Sequence, residues 1–403
     1  MKDIRKVLLI HPEGNIYNNP TLKCVVDLLL SRGVEVTIRY CQFLVDSQFQ
    51  FGCPFTQLKN LKPIGYGNIT YIIKNFIFYR LSSSHLAWLS TWLENQFIYE
   101  AYDLVIGIDR LGLIEAAYLH QITGTPFIFF SFEIFFESET SSSFKSLERR
   151  AAKHVKWWFV QDELRARHLQ EENHLDPATC KLIPLASTGF GELSTNRLRD
   201  QLSIPKDKHV AILIGSVTAW SMAAEIVSSA IDWPDDWVLI LHDRYANTNS
   251  SLEKLGVDLT AIPTNKVYLS HQSKLMVDDM GEILSGVSVG LAFYRVFDSP
   301  TSRYSVAHGK NMRYLGLSSG KISTFLRYGV PVIMNEIGLY ADLARKHDFG
   351  LVCQAPTDIS KLLPLCHTTS LSTKASSFYE SYLDFRNYQN LFLTCLTNAV
   401  SLF

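Results

Sequence analysis

The sequence predicts an α/β protein made of two Rossmann-like halves, each a parallel sheet with helices on its faces. Two observations predict it. Short apolar runs alternate with turns and helical periodicity, and that alternation starts again after a small, polar, Gly-rich stretch near residues 186–206. A length of 403 residues also exceeds what one hydrophobic core usually serves.

In the first half, Lys6–Ile10 reads as a strand, Gly14-Asn15 as a turn, and Thr21–Arg32 as a helix that Gly33 ends. Val34–Tyr40 reads as the second strand. Leu104–Ile108, a helix from Leu113 to Thr123 closed by Gly124, and Pro126–Phe132 repeat the unit. Asn68–Tyr99 is aromatic and apolar at helical spacing, carries Lys74 and Arg80, and has no strand assignment. Lys145–Glu172 reads as an amphipathic helix interrupted by a strand near Trp157–Val160, with another strand at Lys181–Leu185. In the second half, Val210–Gly215, Trp237–Leu241, Lys266–Leu269, Val287–Phe293, Val330–Met334 and Gly350–Cys353 read as strands. Helices are expected between them, notably Ser273–Ser285 and Lys321–Tyr328. The end, Thr373–Phe403, is helical in period. The expected domains are residues 1–190 and 200–375, with a helical segment at 376–403 that packs back toward the first.

A hydrophobic fraction of 47% and a charged fraction of 19% are those of a folded globular chain. The formal net charge of -1 gives no electrostatic footprint for nucleic acid. Seven cysteines without a C-x-x-C pair argue against a disulfide framework or zinc site, and reduced cytosolic thiols are the expectation. Met1–Lys6 leads into too short an apolar run for a signal peptide, and no run reaches the roughly 20 residues of a membrane-spanning helix. A cytoplasmic protein is therefore expected, with no export. Lys74 and Arg80 among the aromatics of Tyr71–Tyr79, together with the apolar Phe127–Phe136, are compatible with peripheral contact at a membrane's inner face and a lipid-linked acceptor.

The most informative segment runs from Tyr314 to Ile333. Small residues precede a helix, and a Gly-x-Pro turn ends it before a strand. A helix N-terminus presents unpaired amides and a positive dipole end, so Ser318, Ser319, Gly320 and Lys321 offer donors and charge to an anion. An equally weighted reading has Ser318 or Ser319 as an ordinary cap and Lys321 as a solvated first-turn residue. The G-x-x-x-x-G-K-[ST] pattern is absent, and so is G-x-G-x-x-G after the first strand, where Gly14 stands without further glycines.

The run Ser318-Ser319-Gly320-Lys321 followed by Tyr328-Gly329-Val330-Pro331-Val332-Ile333, then Gly338 and Gly350, resembles the donor half of GT-B-fold glycosyltransferases, particularly those allied to glycosyltransferase family 4. Val267–His271 and Gly286–Ala292 are similar to the strands that precede this motif. The resemblance covers residues 205–355 well and 1–190 loosely. It implies two Rossmann-like domains facing a central cleft, with acceptor bound by the first and nucleotide-sugar by the second. It implies no cofactor beyond the nucleotide-sugar co-substrate, no metal ion, and a glycan, lipid-linked or small-molecule acceptor in polysaccharide or glycoconjugate biosynthesis. It also makes Gly215 and Ser216 donor-site residues and makes Ser270, His271 and Gln272 candidate base contacts. Two features depart from the family pattern. Gly316 and Thr324 stand where two glutamates are usual, leaving Thr324 only a hydroxyl for the ribose, and Ser216-Val217-Thr218 replaces a basic pair. Diphosphate charge then falls to Lys321, helix-end amides and Arg295, Arg303 or Lys310.

Transfer by inversion needs a general base, and a carboxylate at a strand's carboxyl end is the natural supplier. Asp109 and Glu133 are the candidates. Glu13, Gly14 and Asn15, after the first strand, are the candidate acceptor-side residues. A lone His such as His11, His271 or His308 is more often a hydrogen-bonded residue than a ligand. Two other readings remain: a non-catalytic module that keeps the fold to bind a sugar, nucleotide or partner, which the departures favour, and a nucleotide-sugar epimerase, which needs more acid-base residues near the donor.

Overall fold

Val, Leu and Ile runs without polar alternation form strands that are covered on both faces, which is the signature of parallel sheets. The computed structural model describes residues 4–11, 19–40, 58–61, 101–140, 142–275, 277, 279–297, 309–367 and 369–401. The chain divides into two compact units. One comprises Met1–Pro184, Ser299–Asn311 and Tyr388–Phe403, and the other Leu185–Asp298 and Met312–Asn387.

In the first unit, strands β1 (Lys6–His11), β2 (Glu35–Tyr40), β3 (Leu58–Leu61), β4 (Leu104–Ile108), β5 (Phe127–Phe130), β6 (Trp158–Val160) and β7 (Cys180–Leu182) form a parallel sheet in the order β3-β2-β1-β4-β5-β6-β7. Helices α1 (Pro20–Ser31), α2 (Asp109–Thr123), α3 (Ser142–Ala152) and α4 (Glu163–Asn173) connect them. Asn19 caps α1 by accepting from Leu22 N, and Asp162 caps α4 by accepting from Arg165 N. The aromatics of Phe127–Phe136 that suggested an apolar surface are core: Phe127, Phe129, Phe130, Phe132, Phe135 and Phe136 are all buried. The basic aromatic stretch around Lys74 and Arg80 lies outside the described residues, as do Glu13, Gly14 and Asn15.

The second unit holds β8 (His209–Gly215), β9 (Trp237–Asp243), β10 (Val267–Leu269), β11 (Val289–Ala292), β12 (Val332–Asn335) and β13 (Gly350–Cys353), all parallel, in the order β10-β9-β8-β11-β12-β13. Its longer helices are α5 (Ala223–Ala230), α6 (Thr248–Lys254), α7 (Gly320–Arg327), α8 (Gly338–His347) and α9 (Thr369–Phe378). The anticipated helix over Ser273–Ser285 is only Gly281–Leu284. The Asp279 carboxylate accepts from Gly281 N and Tyr328 Oη, and this local bonding starts the helix late.

The C-terminal segment is divided between the units. Helix α10 (Gln389–Ser401) belongs to the first, where Phe392 lies 5.8 Å from Phe130 and 5.6 Å from Phe159 between ring centroids. Among the described residues, no helix is long and apolar enough to cross a membrane.

Candidate functional site

In an open parallel sheet a ligand crevice forms at the carboxyl ends of the strands where the order reverses. In the second unit the reversal falls between β8 and β11. Gly215, the last residue of β8, stands there with φ +91°, a backbone state that strongly favours glycine. A Cβ at this position would lie 3.6 Å from Arg244 Nη2 and 3.9 Å from Lys321 Cε, so Gly215 separates two cationic side chains that approach the same backbone.

Arg244 follows β9. Its amide donates to Gly215 O at 3.0 Å and its Nη2 to Ser216 Oγ at 2.7 Å, while its Nε is buried without a hydrogen-bond partner among the described residues. Lys321 occupies the first turn of α7. Its side chain is not solvated: the residue is 4% exposed, and Nζ has no hydrogen-bond partner among the described residues. The rings of Trp220 and Tyr294 lie 5.6 and 5.5 Å from Nζ. Burial, and secondarily the Arg244 guanidinium, push the Lys321 amine down to about 7. Two basic groups, Lys321 buried and Arg244 half-buried, thus meet at one strand end without a carboxylate between them among the described residues, an arrangement whose charge a multiply charged anion would balance.

The helix that presents Lys321 is held from both ends. Ser319 is its cap, accepting from Ile322 N at 3.1 Å and sharing a hydrogen bond with Tyr294 Oη. Burial pushes the Tyr294 phenol up, out of the physiological range. At the other end Gly329, with φ +68°, turns the chain into β12 against Ser376 of α9. Ser318 Oγ bonds Leu315 O in its own turn. Gly320 and Thr324 are buried on the same helix. Ser319 is thus the ordinary cap that the sequence offered, while Lys321 is buried and not a solvated first-turn residue.

The structure does not bring the remaining donor-side candidates into this cluster. Ser270 is buried, its hydroxyl engaged with His242 Nδ1 at 3.0 Å, and His271 is exposed. The Gln272 side chain donates to Gln201 and Glu282. Arg295 is ion-paired with Glu225. Lys310 lies in the first unit, where its amide donates to Glu139, and Arg303 is outside the described residues. Arg244 went unnoticed in the sequence because it follows the second strand of this half, not the first. The apolar run Trp237–Leu241 ending in His242-Asp243-Arg244 was the available signal.

In the first unit the carboxylate candidates meet at the carboxyl ends of β4 and β5. Asp109 opens α2 with φ +54°, and its Oδ1 accepts from the amides of Phe132 at 2.7 Å and Glu133 at 2.9 Å. Asn311 Nδ2 donates to Glu133 Oε2, and Asn311 Oδ1 accepts from Ile134 N at 2.9 Å. Beneath them Arg165, fully buried, donates to Gln161 Oε1 and Phe132 O at 2.8 and 2.7 Å. At the end of β1, burial lowers the His11 imidazole to about 3. Among the described residues no group of three His, Cys, Asp or Glu side chains is placed to hold a metal ion.

With this geometry in view, solved structures give a consistent match. Anabaena HepE in complex with UDP-glucose is 13% identical with a TM-score of 0.65, over 98% of this chain and 99% of that one. Sucrose-phosphate synthase from Thermosynechococcus elongatus is 12% identical with a TM-score of 0.68, over 99% and 100%. WaaG, a glycosyltransferase involved in lipopolysaccharide biosynthesis, is 13% identical with a TM-score of 0.55, over 96% and 99%. The fold is that of the GT-B glycosyltransferases. No family model and no curated protein matches the sequence. At such identity the GT-B likeness establishes architecture, and the chemistry has to be argued from this chain's own side chains.

Proposed function

We propose that this chain is a metal-independent glycosyltransferase that moves a sugar from a nucleotide-sugar to an acceptor hydroxyl. The observation that carries the reading is the pair at Gly215, Lys321 buried and Arg244 half-buried, both basic and without an acidic partner among the described residues. Departure of a nucleoside diphosphate develops negative charge on the leaving oxygen, and fixed cations in a dry site stabilise that charge. Ser216 and the first-turn amides of α7 complete the donor set, with Thr324 on the same helix.

In this reading the acceptor is a glycan, a lipid-linked molecule or a small molecule bound by the first unit. Glu133 takes the proton from its hydroxyl as the new glycosidic bond forms and the bond to the diphosphate breaks. Asp109, which fixes the Glu133 amide, and Asn311, which holds its carboxylate, position that base. Cytoplasmic placement and alliance with family 4 belong to the same proposal and rest on the sequence. The ribose carboxylate missing at Thr324 favours one other reading, a module that binds the donor without turning it over.

Thermal shift with UDP-, GDP- and dTDP-sugars, beginning with UDP-glucose because HepE binds it, tests the donor site. A rise in melting temperature with one nucleotide, lost in Lys321→Ala, is the expected result. If that nucleotide is then never released from its sugar with any acceptor class, the binding-module reading replaces the enzyme. No rise with any nucleotide-sugar overturns the donor site itself.

A further inference from the structure

Lys321 and Arg244 have opposite accounts of their charge. Arg244 presents a guanidinium and spends one of its donors on Ser216. Lys321 Nζ, enclosed and without a hydrogen-bond partner among the described residues, loses its hydration and gains no anion. Among the described residues, the groups packed around it offer none. From the end of β8 come Gly215 and Ser216, and from just beyond β11 the Tyr294 phenol, bonded to Ser319. Asp243, the acid nearest in sequence to Arg244, directs its carboxylate oxygens to the amides of Val217 and Tyr245. Beyond Trp220, whose carbonyl accepts from Arg295 N, the Glu225 carboxylate is paired with Arg295. Among the described residues, the charge that acts on Lys321 is therefore the repulsive guanidinium of Arg244.

We propose that the donor diphosphate enters this site together with one proton, which Lys321 takes from solvent as its amine becomes an ammonium against the phosphate oxygens. The inference rests on the donor reading above. The unliganded site then holds a neutral amine beside Arg244, in keeping with a lysine pushed down to about 7, and the occupied site holds two cations against the diphosphate. An anion favours the charged amine, so the lysine's proton affinity rises on binding. Donor affinity is accordingly greatest below pH 7 and falls as pH rises above it, approaching tenfold per pH unit.

Calorimetric titration with UDP-glucose at pH 8, in buffers of high and low ionisation enthalpy, counts the protons. Its diphosphate has no proton to gain or lose between about pH 6 and 8.5, so the count belongs to the protein. The expected result is an uptake close to one proton per bound molecule, and none in Lys321→Arg, whose side chain is charged throughout. Binding without uptake, at an affinity flat from pH 6 to 8.5, overturns the proton inference and leaves the donor site standing. If neither UDP-glucose, GDP-mannose nor dTDP-glucose binds, the donor reading falls with it.

A measurement without ligand keeps the two apart. The unfolded chain holds the Lys321 proton up to about pH 10.4 and the folded chain releases it near 7, so the wild type gains stability relative to Lys321→Met as pH rises between those values. Parallel curves for the two proteins over that window overturn the neutral amine whether or not a nucleotide binds.

Discussion

Two buried basic side chains, one in each unit, show how differently a folded chain can treat a group that carries charge. Arg165 is fully buried, yet its guanidinium donates to Gln161, the Phe132 carbonyl and Asn311. Lys321 is 4% exposed and its Nζ donates to nothing among the described residues. Desolvation is the leading cause that lowers both groups, but Glu133, Asp162 and Asp109 oppose it at Arg165, whereas Arg244 adds to it at Lys321. A satisfied buried charge holds a backbone in place. An unsatisfied basic group gives up its proton at a cost that an anionic ligand can remove, which is the trade between stability and function.

The widest test of this contrast asks whether the satisfied cluster also does chemistry. Glu133→Gln keeps an acceptor for Asn311 but removes the base, so turnover is expected to fall by about 10²–10⁴ with UDP-glucose affinity unchanged, read from steady-state rates and calorimetry. Next, Arg165→Met strands the Phe132 carbonyl and the carboxylates around it, and urea denaturation is expected to show a loss of about 3–5 kcal/mol. Lys321→Met should do the reverse in the unliganded protein, neutral or stabilising by about 1–4 kcal/mol at pH 7, while abolishing the thermal shift with a nucleotide-sugar. Equal destabilisation by the two substitutions would erase the distinction. The smallest effect is Ser319→Ala, which removes the α7 cap and costs about 1 kcal/mol of stability, with a weaker donor response because the helix end that carries Lys321 loosens.

The fold was legible because parallel strands are written as short Val, Leu and Ile runs, and the Ser319 cap sits where local chemistry puts it. That cap of α7 was legible for this local reason, whereas the burial of Lys321 was not. What could not be read was the chemistry of spatial neighbours. Arg244 and Lys321 are 77 residues apart, and only the β9-β8-β11 order brings both to Gly215. Asn311 lies 178 residues from Glu133 and has no local signal as its partner. The Ser273–Ser285 helix was over-read, since helical periodicity does not register an Asp279 carboxylate that starts the helix at Gly281.

The distribution of the chain between the units carries a practical consequence for exchanging parts. The first unit is completed by Asn311 and by α10, which reach it after the chain has already built most of the second sheet. A fragment cut after Pro184 would leave Glu133 without its amide donor and the rings of Phe130 and Phe159 without Phe392. A chimera that grafts this first unit onto the second unit of another chain of this fold must therefore bring three separate stretches of sequence, and a single crossover point will produce an incomplete module.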